Sequence, residues 1–174
     1  AQKETRVQTN RRLWISFMMT LPLTACGFQL RGSRADAKLP FSSVNLEIGK
    51  NSPLERELRT AIISQGTTAI ATDRKSADVT LRILSEQQEK KVLTINAQGQ
   101  VREFSLIYRL RFDVIGQDAT QLVSDTELAL QTFMSYSESQ AIAKETEERL
   151  IYNDLRADAV SQIMRRLAQV KPTQ

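Results

Sequence analysis

Apolar and polar residues alternate along several stretches of the chain, and the period of the alternation decides which element each stretch predicts. Between Phe41 and Ile48, Val44, Leu46 and Ile48 fall on one side and Asn45 and Glu47 on the other, as in a half-buried strand. Ser52-Pro53-Leu54-Glu55 then combines a capping serine, a proline at the first helical position and a glutamate three residues on, which predicts a helix start. Leu54, Leu58, Ala61, Ile62 and Gln65 share one stripe of that helix, and Gly66 ends it. A brief extended piece, Thr67 to Ala71, comes next. Val79, Leu81 and Ile83 then alternate with Thr80, Arg82 and Leu84, and a charged run from Glu86 to Lys91 intervenes before strand character resumes over Val92 to Ile95. After a turn at Asn96 to Gly99 comes the clearest period of two: Leu106, Tyr108, Leu110, Phe112 and Val114 against Arg109, Arg111 and Asp113. Ile107 and Ile115 soften the polar face of this strand, so that side is expected to meet something besides water. A turn near Gly116 to Asp118 opens a third long segment, Leu122 to Phe133, and the three segments form an antiparallel meander.

The last pattern is helical. Ile151, Leu155, Ala159, Ile163 and Leu167 recur every four residues, with Val160, Met164 and Val170 widening the stripe, in a helix capped by Ser137 or Ser139 and running to about Ala168. Arg165 and Arg166 near its end complement the helix dipole. Strand, helix, meander, helix is the order of an α+β fold: a two-layer sandwich, with an antiparallel or mixed sheet of about four strands and both helices packed on one face.

Upstream of these elements the pattern changes again. Leu13 to Leu23 is apolar except for Ser16, Thr20 and Pro22, follows Arg11 and Arg12, and leads into Leu23-Thr24-Ala25-Cys26. The run is shorter than the ~20 residues that span a bilayer. A basic start, a short apolar core and small residues before a cut are the parts of a signal peptide, and a cysteine at the cut makes it a lipobox. A buried free cysteine after a hydrophobic helix would explain neither the arginines nor the small residues. Residues 1–25 are thus expected to be removed, leaving Cys26 as a terminus carrying a diacylglyceryl group and an N-acyl chain, enough acyl chains for stable anchoring. Residues 26–40, with Gly27, Gly32 and Pro40 and no periodicity, read as a lipidated tether, and 41–174 as a single domain.

Composition narrows the chemistry. The chain carries a formal +4, but Lys3, Arg6, Arg11 and Arg12 against Glu4 put most of this in the leader, so the remainder is near neutral and no nucleic-acid partner is expected. With one cysteine there is no internal disulfide, and without histidine neither an ordinary Cys/His zinc site nor a Ser-His-Asp machine can be assembled. The 6 glycines form no phosphate loop. Glu145, Glu147 and Glu148 beside Lys144 and Arg149 read as a solvated helix face. No catalytic or metal-binding residue is assigned, and the protein reads as no enzyme.

Cys26-Gly27-Phe28-Gln29-Leu30-Arg31-Gly32 resembles the opening of the LptE family of lipopolysaccharide-assembly lipoproteins. Ser52-Pro53-Leu54, Gln98-Gly99-Gln100 and Ala141-Ile142-Ala143-Lys144 come in that family's order, so the resemblance spans the mature chain. It implies a non-enzymatic outer-membrane lipoprotein, held at the periplasmic face by its lipid. Such a protein plugs the LptD barrel as its heterodimeric partner and assists insertion of lipopolysaccharide at the cell surface, contacting the lipid itself. Gly27, where an aspartate would signal inner-membrane retention, fits that location. The family's lipid-contacting lysine falls on Lys144, whereas its basic residue at the hairpin tip falls near Ala97, which is uncharged. Further cations suited to lipid A phosphates are Lys90, Lys91 and Arg102, with Arg109 and Arg111 on the polar strand face. No cofactor beyond the covalent lipid is expected. Two other readings are an anchored lipid or lipoprotein carrier, which needs a cavity between sheet and helices, and an anchored carboxylate hydrolase. The bulky alternation from Leu106 to Val114 favours a filled core, and no acid and base stand apart from the exposed charges.

Overall fold

The computed structural model describes residues 38–49 and 52–171; the leader, Cys26 and most of the tether lie outside the described residues. The elements are β1 (Ser43–Glu47), α1 (Pro53–Ser64), β2 (Ala69–Ile70), β3 (Val79–Ile95), β4 (Val101–Gly116), β5 (Gln121–Ser135) and α2 (Ala141–Leu167), with short 3-10 turns at Arg74–Ser76 and Glu138–Gln140. They form one five-stranded mixed sheet, ordered β2-β1-β3-β4-β5, with β1 parallel to both its neighbours and β3, β4 and β5 an antiparallel meander. This is the expected two-layer α+β sandwich, with one strand more than about four. The addition is β2, two residues inside the extended piece after the first helix.

Strand β4 forms the centre of the core. Leu106, Tyr108, Leu110, Phe112 and Val114 are fully buried on the face that carries the helices. Against them pack Leu54, Leu58 and Ile62 of α1 and Leu155, Ala159, Ile163 and Leu167 of α2. At 12 residues α1 is too short to persist alone, so these three aliphatic side chains, worth about 2 kcal/mol each on burial, hold it in place. Its start is as the sequence predicts: the Ser52 hydroxyl accepts the Glu55 amide at 3.0 Å and Pro53 opens the first turn. Gly66 succeeds the helix end with φ +69°, a conformation that favours glycine.

Two expectations are corrected. The charged run Glu86 to Lys91 does not interrupt the meander, because β3 is one strand of 17 residues with a bulge between Ile83 and Ser85. The bulge inverts the facing of the later part of the strand, so Glu86, Gln88 and Lys90 pair with Leu110, Tyr108 and Leu106 and share their side of the sheet. The second correction concerns the final helix, which neither Ser137 nor Ser139 caps. Their hydroxyls bond each other at 2.9 Å, the 3-10 turn intervenes, and Gln140 precedes α2 with no capping side-chain bond.

Candidate functional site

Strand β1 pairs with β3 only from Val79 to Arg82, so the distal part of the β3-β4-β5 ribbon continues beyond it. The first turns of α2 close one side of this extension. Tyr152 ties them down by donating its hydroxyl to the Glu89 carbonyl at 2.8 Å. At this corner Phe104 of β4 meets Tyr136 edge to face, with centroids 5.1 Å apart. The Lys90 ammonium lies 4.3 Å from the centre of the Phe104 ring and donates to Glu148 of α2 at 2.5 Å. One turn earlier on the helix, Lys144 donates to Glu147 at 2.8 Å and to the Ser135 hydroxyl at 3.1 Å, with only 13% of its side chain exposed. Exposed apolar side chains lie close by in the fold: Val92, paired across the strands with Phe104, and Ile142 in the first turn of α2. Two ammonium groups beside an aromatic pair and apolar surface can receive an amphipathic anion, whose charge meets the lysines and whose hydrocarbon meets the rest.

The remaining cations do not join this corner as a cluster. Lys91 pairs with Glu89 at 2.8 Å on the opposite face of the sheet. That face is a ladder of charge pairs. Arg109 bridges Glu89 at 2.8 Å and Glu127 at 2.9 Å, Arg111 pairs with Asp125, and Arg82 with Asp113. Hydrogen bonds from Lys91 and then Arg109 hold the Glu89 carboxyl below its ordinary range. Ile107 and Ile115 on this side are buried, as their apolar character predicts. Arg102, near the start of β4, is exposed and makes no ion pair among the described residues. Ala97 sits at the tip of the β3-β4 hairpin, and Cys26 lies outside the described residues.

Sequence reasoning singled out Lys90 and Lys144 as candidates but missed what surrounds them. Phe104 and Tyr136 had no pattern to mark them as a pair. Glu147 and Glu148 read as a solvated face, yet both turn toward lysines. The Lys144 and Glu147 spacing of three was available as a signal, whereas Lys90 and Glu148 are 58 positions apart and only the fold joins them.

Sheet and helices together define a two-layer α+β domain. Residues 41–167 match the model of a family described as LptE, lipopolysaccharide-assembly. The chain belongs to the LptE family. It is 24% identical to the LPS-assembly lipoprotein LptE of Pectobacterium atrosepticum over 163 residues, covering 90% of this chain and 84% of that one. It is 26% identical to the protein of the same name from Yersinia pestis, covering 90% and 77%. Among solved structures, the uncharacterized lipoprotein B of Nitrosomonas europaea superposes with a TM-score of 0.69 at 28% identity, over 82% of this chain and 90% of that one. The rare lipoprotein B of Shewanella oneidensis shares the fold, with a TM-score of 0.64 at 21% identity, over 74% and 95%.

Proposed function

We propose that this chain is a lipid-anchored, non-enzymatic outer-membrane lipoprotein that plugs an LptD-type barrel from the periplasmic side, as one half of a heterodimer, and engages lipopolysaccharide during its assembly at the cell surface. Family membership over 41–167 supports the assembly role. The observation that carries the lipid reading is the corner itself, where two lysines, Lys90 on the face of Phe104 and Lys144 at the Ser135 hydroxyl, stand with apolar side chains exposed nearby. Lipid A offers phosphates to the former and acyl chains to the latter. Arg102 is the secondary contact, whereas Lys91, paired with Glu89 on the opposite sheet face, has no part in it. The plug reading draws on the second face, whose paired charges suit the polar lumen of a large barrel. Side chains such as Tyr108 and Phe112, fully buried between sheet and helices, fill the space that a carrier would need as a cavity. Cys26, once acylated, would hold the domain at the membrane.

Replacing both Lys90 and Lys144 with glutamine tests the corner. Each lost contact between ammonium and phosphate is worth about 1.5 kcal/mol or more, so with both removed the affinity of the full chain for purified lipopolysaccharide is expected to fall roughly a hundredfold. Recovery of the barrel partner should be unchanged. Binding equal to that of the unaltered protein would remove the corner as the lipid site.

A further inference from the structure

The two lysines of the corner are not vacant. Lys144 is held by Glu147 and Lys90 by Glu148, consecutive residues one turn into α2, so two positive charges are matched by two negative ones. Their surroundings keep the lysines in place when a carboxylate leaves. Lys90 retains the face of Phe104 at 4.3 Å, and Lys144 retains the Ser135 hydroxyl. The carboxylates have no second hold of that kind among the described residues, and the Glu147 side chain is 46% exposed, free to swing into water.

We propose that Glu147 and Glu148 are specificity-determining residues, an internal counter-charge that a ligand must displace, and that they restrict the corner to lipids bearing phosphomonoester groups. This rests on the lipopolysaccharide reading above and adds the rule by which the site selects. A singly charged phosphodiester headgroup replaces one carboxylate with one equal charge and gains nothing. A phosphomonoester carries about −1.5 to −2 at pH 7 and three acceptor oxygens, so the exchange favours it. Glu145, on the same turn, is exposed and makes no ion pair among the described residues, so its charge acts only at a distance.

The test compares the unaltered full chain, the double variant Glu147→Gln/Glu148→Gln and the control Glu145→Gln in one mild detergent. Each is titrated with purified lipopolysaccharide and with phosphatidylglycerol, both dispersed in that detergent. The double variant is expected to bind lipopolysaccharide about fivefold or more tighter, the scale of two exposed ion pairs removed as competitors. It should also acquire phosphatidylglycerol binding that the unaltered chain lacks, while Glu145→Gln changes neither. Thermal unfolding of all three checks that the fold is retained. If the unaltered chain binds lipopolysaccharide and the double variant binds both lipids no better, the selection rule is overturned and the lipopolysaccharide reading stands. An equal gain from Glu145→Gln likewise overturns it, because net charge alone would then explain the effect. If neither chain binds lipopolysaccharide, both readings fall.

Discussion

Asp78 shows how much one side chain can fix. Its carboxylate accepts the Ser42 amide and hydroxyl at 2.8 Å each and the Ser43 amide at 3.0 Å, while the Ser43 hydroxyl accepts the Asp78 amide at 2.9 Å. This clip sets the entry of β1 beside β3. The Ser42 hydroxyl first, and then the two amides, hold the carboxyl below its ordinary range. A depressed folded pKa means stability that is present above the unfolded value near 4 and lost as pH falls through the folded one. Asp78→Asn is expected to cost about 1 kcal/mol at pH 7, a figure reduced for its partial exposure, and the difference should shrink toward pH 3 in urea denaturation. The two long hairpins offer a second comparison at this scale. Gly99 and Ala119 occupy the same place in loops closed by Asn96 with Gln100 and by Gly116 with Thr120, and both have positive φ, +77° and +67°. Alanine in that region costs about 1 kcal/mol, partly offset by its stiffer unfolded chain. Ala119→Gly should therefore raise stability by about 0.5 kcal/mol and Gly99→Ala lower it by at least as much, both read as shifts in the urea midpoint. A loss in the first case would contradict the strain assigned to Ala119.

Docking of the two helices depends on more than their apolar stripes. Arg156 of α2 is buried, donates to Glu57 of α1 at 2.7 Å and to the Asn153 side chain at 2.6 Å. Below them, burial and then the hydrogen bond to Glu86 push the Tyr108 phenol well above its ordinary value, so it remains a neutral donor. Glu57→Gln strips the guanidinium of its counter-charge. Removing one partner from a fully buried pair costs about 3–5 kcal/mol, but the Glu57 side chain is 34% exposed, so a loss of about 2 kcal/mol is expected in thermal or chemical unfolding. Adding Arg156→Met should recover part of it, and a double variant weaker than the single would contradict this account. Most elements were legible because their apolar residues face one core: the Ser52 cap, the stripe of α1, the alternation of β4 and the stripe of α2 all met that condition. Along β3 past its bulge the apolar alternation lapses, since Glu86, Gln88 and Lys90 stand opposite the core residues of β4, and there the reading failed. Glu86 to Lys91 look like a loop in one dimension, yet they form a strand because Arg109, Glu148 and Tyr152, from elsewhere in the chain, satisfy their charges and backbone. The corner was legible only in part for the same reason, since its lysines are local facts and their partners are not.

At the scale of the whole molecule the two sheet faces divide the work. One is spent on the helices and the core, and the other presents alternating charge across β3, β4 and β5, with the corner of paired lysines at the distal end of the core side. In the proposed role the charged ladder meets a polar barrel lumen, the corner meets lipopolysaccharide, and the acylated Cys26 sets the membrane they share. The most direct measurement is the stoichiometry of what the full chain carries out of detergent-solubilised outer membrane when tagged at its C-terminus and produced in a Gram-negative host, with every species quantified by mass spectrometry. The account predicts a product lacking residues 1–25, lipid-modified at Cys26, and recovered with a large β-barrel in near-equal molar amount; an unmodified chain that emerges without a barrel would contradict it.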